Sequence, residues 1–322
     1  MRCKNYMPKI ENPILITGCH RSGTTFVGKV LSFSHQISYL NEPFNLESGI
    51  SGIQHAFPYI GLGDSDSEKT YIKLIDDFFS FRAKFGYTKY ESDGVVKTLL
   101  KKTFGTKASI QYKWAWFLNI LPWSKRRLLI KDPTAAFLSG YLATKYDCRV
   151  LILVRHPGAF LASIKRLGWG WDFKHFLEQR SLMNNYLKEL EPLLDKPQSI
   201  PYQAALLWLS IYKVLHSFYK DDGNWKIVRH EDICLNPLEQ FQLIYKWLEM
   251  DFTNETMAKT NKLTNLKNKI EACSDSVHDL RRNSRGLVNY WKKSLSYDEI
   301  EILQKITEPI STMYYDNNSW AL

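Results

Sequence analysis

The stretch that most constrains the fold lies near the start of the chain. Pro13 to Thr17 (PILIT) runs into Gly18-Cys19-His20-Arg21-Ser22-Gly23-Thr24-Thr25 and then into Phe26-Val27-Gly28-Lys29-Val30-Leu31. An unbroken β-branched apolar run has no wet face, so it reads as a strand buried on both sides, the kind that belongs to a parallel sheet. From Thr24 onward the spacing is helical. A strand that passes through a glycine loop into a helix is the setting of a phosphate cradle. Gly18 and Gly23 let successive N–H groups and the helix N-terminus converge on one anion.

The alternation continues along the chain. Ile37 to Leu40, Leu128 to Ile130, Val150 to Val154 and Trp225 to Val228 read as further buried strands. Helical spacing runs through Thr24–Ser34, Tyr71–Phe81, Ala135–Lys145, Gly158–Arg166, Gln203–Tyr219, Pro237–Glu249 and Tyr297–Met313. This pattern predicts an α/β fold, a single P-loop-type three-layer domain over residues 1–322 with a central parallel sheet. Segments of about 45–108 and 167–202 break the rhythm and are expected to be helical insertions at one edge of the sheet.

The balance of 43 Lys+Arg against 33 Asp+Glu gives a formal net charge of +10, which favours an anionic ligand. The basic residues are scattered, with only short clusters at Lys125-Arg126-Arg127 and Arg281-Arg282, and this argues against nucleic acid as a partner. Cys3, Cys19, Cys148, Cys234 and Cys273 lie far apart without a C-x-x-C pair, so neither a disulfide framework nor a zinc site is indicated. A reducing, cytoplasmic setting is expected. No apolar run has signal-peptide or membrane-spanning length, so no membrane segment is expected either.

The glycine loop has the spacing of a nucleotide P-loop with one difference. Thr24-Thr25 stand where an ATPase has Lys followed by Ser or Thr, and the cation comes earlier, at Arg21. Without that Lys the β/γ-phosphate charge beside magnesium goes unneutralised, so an arginine and two hydroxyls suit a different phosphate-like group. A second strand, Arg149 to Val154, delivers Arg155 to its carboxyl end, followed by His156-Pro157 and a helix that carries Ser163. Arg155 and Ser163 are placed to grip one anion from two sides. Read alone, they fit an ion-pair arginine and a solvated serine equally well.

Together these two elements resemble the sulfotransferases that use 3′-phosphoadenosine 5′-phosphosulfate (PAPS), in particular the carbohydrate-type and bacterial members, which carry arginine at the Arg21 position. The resemblance implies that His20, Arg21, Ser22, Gly23, Thr24, Thr25 and Phe26 bind the 5′-phosphosulfate and that Arg155 and Ser163 bind the 3′-phosphate. It extends through Val228-Arg229-His230-Glu231-Asp232-Ile233 with Asn236-Pro237. It also reaches Ser284-Arg285-Gly286 and Trp291 to Leu295, which implies that Arg285 and Gly286 belong to a C-terminal loop closing over the nucleotide. PAPS is then the donor and 3′-phosphoadenosine 5′-phosphate (PAP) the product, with no metal needed because the transferred group carries little charge.

For the catalytic base the resemblance points to Glu42, in Asn41-Glu42-Pro43, just past the second predicted strand. Arg21 is assigned to the leaving phosphosulfate and Lys131 to the sulfuryl oxygens. Asp132 and His156 are rival bases, and Asp132 before Pro133 also reads as a helix cap. Trp114-Ala115-Trp116-Phe117 and Trp169-Gly170-Trp171 would stack on a sugar or aromatic acceptor, or else simply pack. The acceptor is a hydroxyl or amine of a small molecule or glycan, entering on the side of the two insertions. The oligomeric state is not legible. A P-loop kinase with its acidic strand at Leu128 to Asp132, or a non-catalytic module binding an anionic nucleotide, are the alternative readings.

Overall fold

The computed structural model describes residues 10–61, 65–86, 106–121, 124, 126–196, 198–265, 267–269, 280 and 283–321. Five strands form one sheet: β1 (Ile14–Gly18), β2 (Ile37–Asn41), β3 (Arg127–Lys131), β4 (Arg149–Val154) and β5 (Trp225–Arg229). Their order is β2-β3-β1-β4-β5, and every pairing is parallel. β1 lies at the centre, with Leu15 facing Ile130 of β3 on one side and Val150 of β4 on the other.

Alternate side chains along each strand feed two separate cores, which accounts for the unbroken apolar runs. Leu15, Leu40, Leu128, Ile130, Val150 and Ile152 face one layer. Ile14, Ile16, Ile37, Leu129, Leu151 and Leu153 face the other. Helices cover both faces: α1 (Thr24–Leu31), α2 (Asp66–Phe79), α3 (Lys107–Ile120), α4 (Ser139–Tyr146), α5 (Pro157–Leu167), α6 (Ile200–Phe218), α7 (His230–Leu235), α8 (Pro237–Trp247), α9 (Asn254–Thr264) and α10 (Tyr297–Ser311). Short helical turns fill the stretch from Lys174 to Leu194.

The expected helix over 135–145 divides into a buried 3-10 turn, Pro133–Leu138, and then α4. Asp132 starts that turn, its carboxylate accepting from the Thr134 N–H at 2.9 Å, so the chain begins its helical path earlier and more tightly than its periodicity suggests. The sequence reading also lacked α3, α7 and α9. The described parts of the two irregular segments pack on each other. Gln179 accepts from the Tyr59 N–H at 2.8 Å and donates to the Phe57 carbonyl at 3.1 Å.

Candidate active site

The loop between β1 and α1 forms one wall of a cavity of about 300 Å³ at the carboxyl ends of the strands. His20, Arg21, Thr24 and Thr25 line it from the loop, and Glu42 lines it from the end of β2. The two loop glycines are needed where they stand. Gly18 has φ 139° and a Cβ there would lie 2.3 Å from the Leu153 carbonyl oxygen; Gly23 has φ 95° and a Cβ would lie 2.6 Å from the His230 ring. Arg21 itself sits at φ 65°, so the loop turns through left-handed backbone at a non-glycine position. Tyr212, fully buried on α6, holds the loop from below, its hydroxyl accepting from the Cys19 N–H at 3.2 Å and donating to the Leu153 carbonyl at 2.7 Å.

Glu42 also has left-handed backbone, φ 50°. Its N–H donates to the Lys131 carbonyl at 2.8 Å, and its Oε1 pairs with Nζ of Lys131, a lysine only 1% exposed. A lysine buried to that degree requires such a partner. Asp132 does not reach the cavity in the same way. Its Oδ2 accepts from the Phe44 N–H at 2.7 Å, and its Oδ1 accepts from the N–H and hydroxyl of Thr134, so the carboxylate brackets two chain segments. Burial pushes Asp132 up to about 7, with negative Glu42 acting in the same direction and the Thr134 and Phe44 bonds opposing. His20 is pushed down to about 4 by burial, against the pull of Glu42 and with Lys131 and Arg21 adding to the effect, so its ring is neutral near pH 7.

A second cavity, of about 510 Å³, shares Arg21 and Arg155 with the first and is lined further by Ser163, Lys165, Arg166 and Trp291. Arg155 Nη1 donates to the Arg21 carbonyl at 2.7 Å, and Arg21 Nε donates to Ser163 Oγ at 3.0 Å. One chain of hydrogen bonds therefore links the glycine loop, the tip of β4 and α5. The C-terminal segment closes over this region. Ser284 and Leu287 line the first cavity, and Trp291 packs on Gly158, where a Cβ would lie 2.5 Å from its ring.

These two arginine-walled cavities meet at the glycine cradle. A family model described as a sulfotransferase domain matches residues 11–316. The chain belongs to the sulfotransferase family. It is an enzyme of sulfuryl transfer. No curated protein matches the chain. Among solved structures it is similar to the sulfotransferase domain from the curacin biosynthetic pathway, with 16% identity, 94% of this chain and 98% of that one covered, and a TM-score of 0.48. It is also similar to a mouse sulfotransferase complexed with PAP, with 12% identity, coverage of 97% and 90%, and a TM-score of 0.45. A retinol dehydratase in complex with androsterone and PAP aligns with 14% identity, coverage of 97% and 84%, and a TM-score of 0.47.

The remaining expected residues of this sulfotransferase fall at varied distances from the cavities. Ser22 is fully buried within the loop, and Phe26 lines the first cavity with its ring edge-on to Phe241. Arg285 and Gly286 lie in a 3-10 turn, where Arg285 Nε donates to the Leu235 carbonyl at 3.2 Å and the Gly286 N–H donates to Asn283 at 3.1 Å. His156 is buried under the C-terminus, stacked on Trp291 at 4.6 Å, with its Nδ1 accepting from the Gly158 N–H. That places it as a helix cap away from the first cavity. Trp169 lines the first cavity, whereas Trp114, Trp116 and Phe117 stand exposed on α3. Arg281-Arg282 lie outside the described residues. Among the described residues no group of His, Cys, Asp and Glu is arranged to hold a metal, and no helix is long and apolar enough to cross a membrane.

Two residues had gone without a role. His230, the first residue of α7, and Cys234 one turn later line the first cavity opposite the loop. The signal for them was positional: they follow directly on a buried strand, where ligand loops gather. Gly28 on α1 gives room to the stem of Lys131, since a Cβ there would lie 3.1 Å from Lys131 Cγ and 2.9 Å from the Tyr39 ring.

Proposed function

We propose that this sulfotransferase holds PAPS across the two joined cavities and passes the sulfuryl group to a hydroxyl of a small-molecule acceptor, with Glu42 as base. The observation that carries this reading is the position of Glu42 in the wall of the same cavity as Arg21, Thr24 and Thr25. The donor fits the residues present. The cradle left open at Gly18 and Gly23 admits a phosphate against backbone N–H groups, while Arg155 and Ser163 wall the second cavity, where the 3′-phosphate belongs.

Bound PAPS supplies an activated sulfuryl group on a phosphate leaving group. The acceptor O–H is held beside Glu42, whose Oε2 makes no hydrogen bond among the described residues, and that oxygen takes the proton as the new O–S bond forms. Lys131 fixes the other carboxylate oxygen, and so orients the base. Arg21 and the loop N–H groups stabilise the charge that develops on the departing phosphate oxygen. The two irregular segments form the acceptor side: Asn45 and Trp169, one from each, stand on the rim of the first cavity. The test is transfer of labelled sulfate from PAPS by the wild type and by Glu42→Gln. Turnover that survives in Glu42→Gln would remove Glu42 from the role of base.

A further inference from the structure

Beside the main cavity lies a smaller pocket of about 150 Å³, between α5, α6 and the turn that follows α5. Gly168, at φ 63°, ends α5 and folds Trp169-Gly170-Trp171 back over the helix, so that the indoles close the pocket. Its other walls are Phe160, Ile164, Ala204 and Leu207. His20 and Trp169 belong to the linings of both this pocket and the main cavity, so the two spaces adjoin across a pair of rings.

Among the described residues no charged side chain lines the pocket. Gln203 is its one side-chain amide among the described residues, and both ends are engaged: Oε1 accepts from the Trp171 N–H at 2.7 Å, and Nε2 donates to the Gln198 carbonyl at 2.8 Å. His20 stands at the junction with the cavity that holds Glu42, and the lining also carries the indole N–H groups of Trp169 and Trp171, the latter buried without a hydrogen-bond partner among the described residues, so one donor is left for a single acceptor oxygen. One indole donor cannot serve a sugar unit, which would still bury several hydroxyls without partners, at about 1–3 kcal/mol each. An uncharged ring would bury none. An apolar cavity of about this volume accommodates a benzene-sized ring.

We infer that this pocket selects the acceptor, and that it takes an uncharged six-membered ring or an apolar group of equal bulk, its hydroxyl directed past His20 toward Glu42. This rests on the reading of the main cavity as the site of sulfuryl transfer. The chemistry balances: the acceptor oxygen bonds to sulfur, the S–O bond to the PAPS phosphate breaks, its electron pair stays on the phosphate of PAP, and the acceptor proton goes to the Glu42 carboxylate. The pocket thus favours phenolic or alicyclic alcohols over glycans, contrary to the acceptor class of the carbohydrate-type members that the first loop resembles.

The test uses the full chain with labelled PAPS and four acceptors: p-cresol, cyclohexylmethanol, N-acetylglucosamine and a chondroitin tetrasaccharide. Sulfation of the two ring alcohols, with Ala204→Leu lowering their kcat/KM by at least about tenfold while PAP affinity stays constant, is the expected result. Ile164→Phe fills the pocket from the opposite wall and is expected to do the same, which guards against a folding defect in one variant. Turnover of the sugars alone, or ring turnover indifferent to both substitutions, would overturn the assignment. So would a wild type that binds PAP and sulfates neither ring alcohol. A wild type that fails to bind PAP refutes the donor reading itself, and the inference with it.

Discussion

Glu42 is joined to Lys131 twice, through its N–H to the Lys131 carbonyl at 2.8 Å and through its carboxylate to the Lys131 ammonium. β2 and β3 are adjacent parallel strands whose register places Asn41 opposite Lys131, so the residue just past β2 meets the residue that ends β3. The strand pairing therefore aims the carboxylate, and the ion pair locks it. Glu42→Gln keeps the shape and removes the proposed base. Its kcat should fall by about 10²–10⁴ while PAP affinity is unchanged, as read by single-turnover transfer and calorimetry.

Gly28→Ala tests the packing beneath that pair. In an open helix this change would stabilise by up to about 1 kcal/mol. Here the added Cβ meets the Tyr39 ring at 2.9 Å and Lys131 Cγ at 3.1 Å, so the lysine stem must shift. The expected outcome is a drop in kcat larger than any change in PAP affinity. Equal loss in both would locate the damage in the loop instead.

His20 and His156 predict an acid limb in stability. Burial pushes His20 down to about 4 and His156 down to about 3, from an ordinary value of 6.5. The unfolded chain takes up these protons first. The stability tied to the neutral rings is thus complete above about pH 6.5 and is lost as pH falls toward 4 and 3, by at most about 1.4 kcal/mol per pH unit for each ring. Urea unfolding of the apoprotein between about pH 7.5 and 5 should show this decline, and His156→Gln should flatten it. An unchanged slope in His156→Gln would mean that the stacked imidazole does not titrate with unfolding.

The three inner strands were legible because each is buried on both faces and leaves an unbroken apolar run, while the edge strands β2 and β5 are half-buried and broken by Ser38 and Lys226; the loop glycines were legible because only a backbone free of Cβ makes that turn. What the sequence left open has a physical pattern. Asp132 and Glu42 are both acidic residues just past a strand and before a proline, so periodicity cannot separate cap from base. The distinction lies in Thr134 and Phe44, whose N–H groups occupy both oxygens of Asp132. His230, named in the sequence only within a longer motif, had no readable role there because its contact with Gly23 joins residues far apart in the chain. The helix α3 was missed because aromatic residues fall around its circumference, with Tyr112 buried while Trp114 and Phe117 are exposed, which erases the amphipathic signal.

The joined cavities are built to bind the adenosine 3′,5′-bisphosphate skeleton of PAPS on the reading proposed above. Calorimetric titration of the wild type and Arg155→Ala with PAP, and with ATP plus magnesium, tests it most directly. The expected result is micromolar PAP binding by the wild type, tighter than magnesium ATP and weakened at least about tenfold in Arg155→Ala, since charge-assisted bonds from a half-buried arginine are among the stronger contacts to a phosphate. Preference for magnesium ATP, or PAP binding indifferent to Arg155, would contradict it.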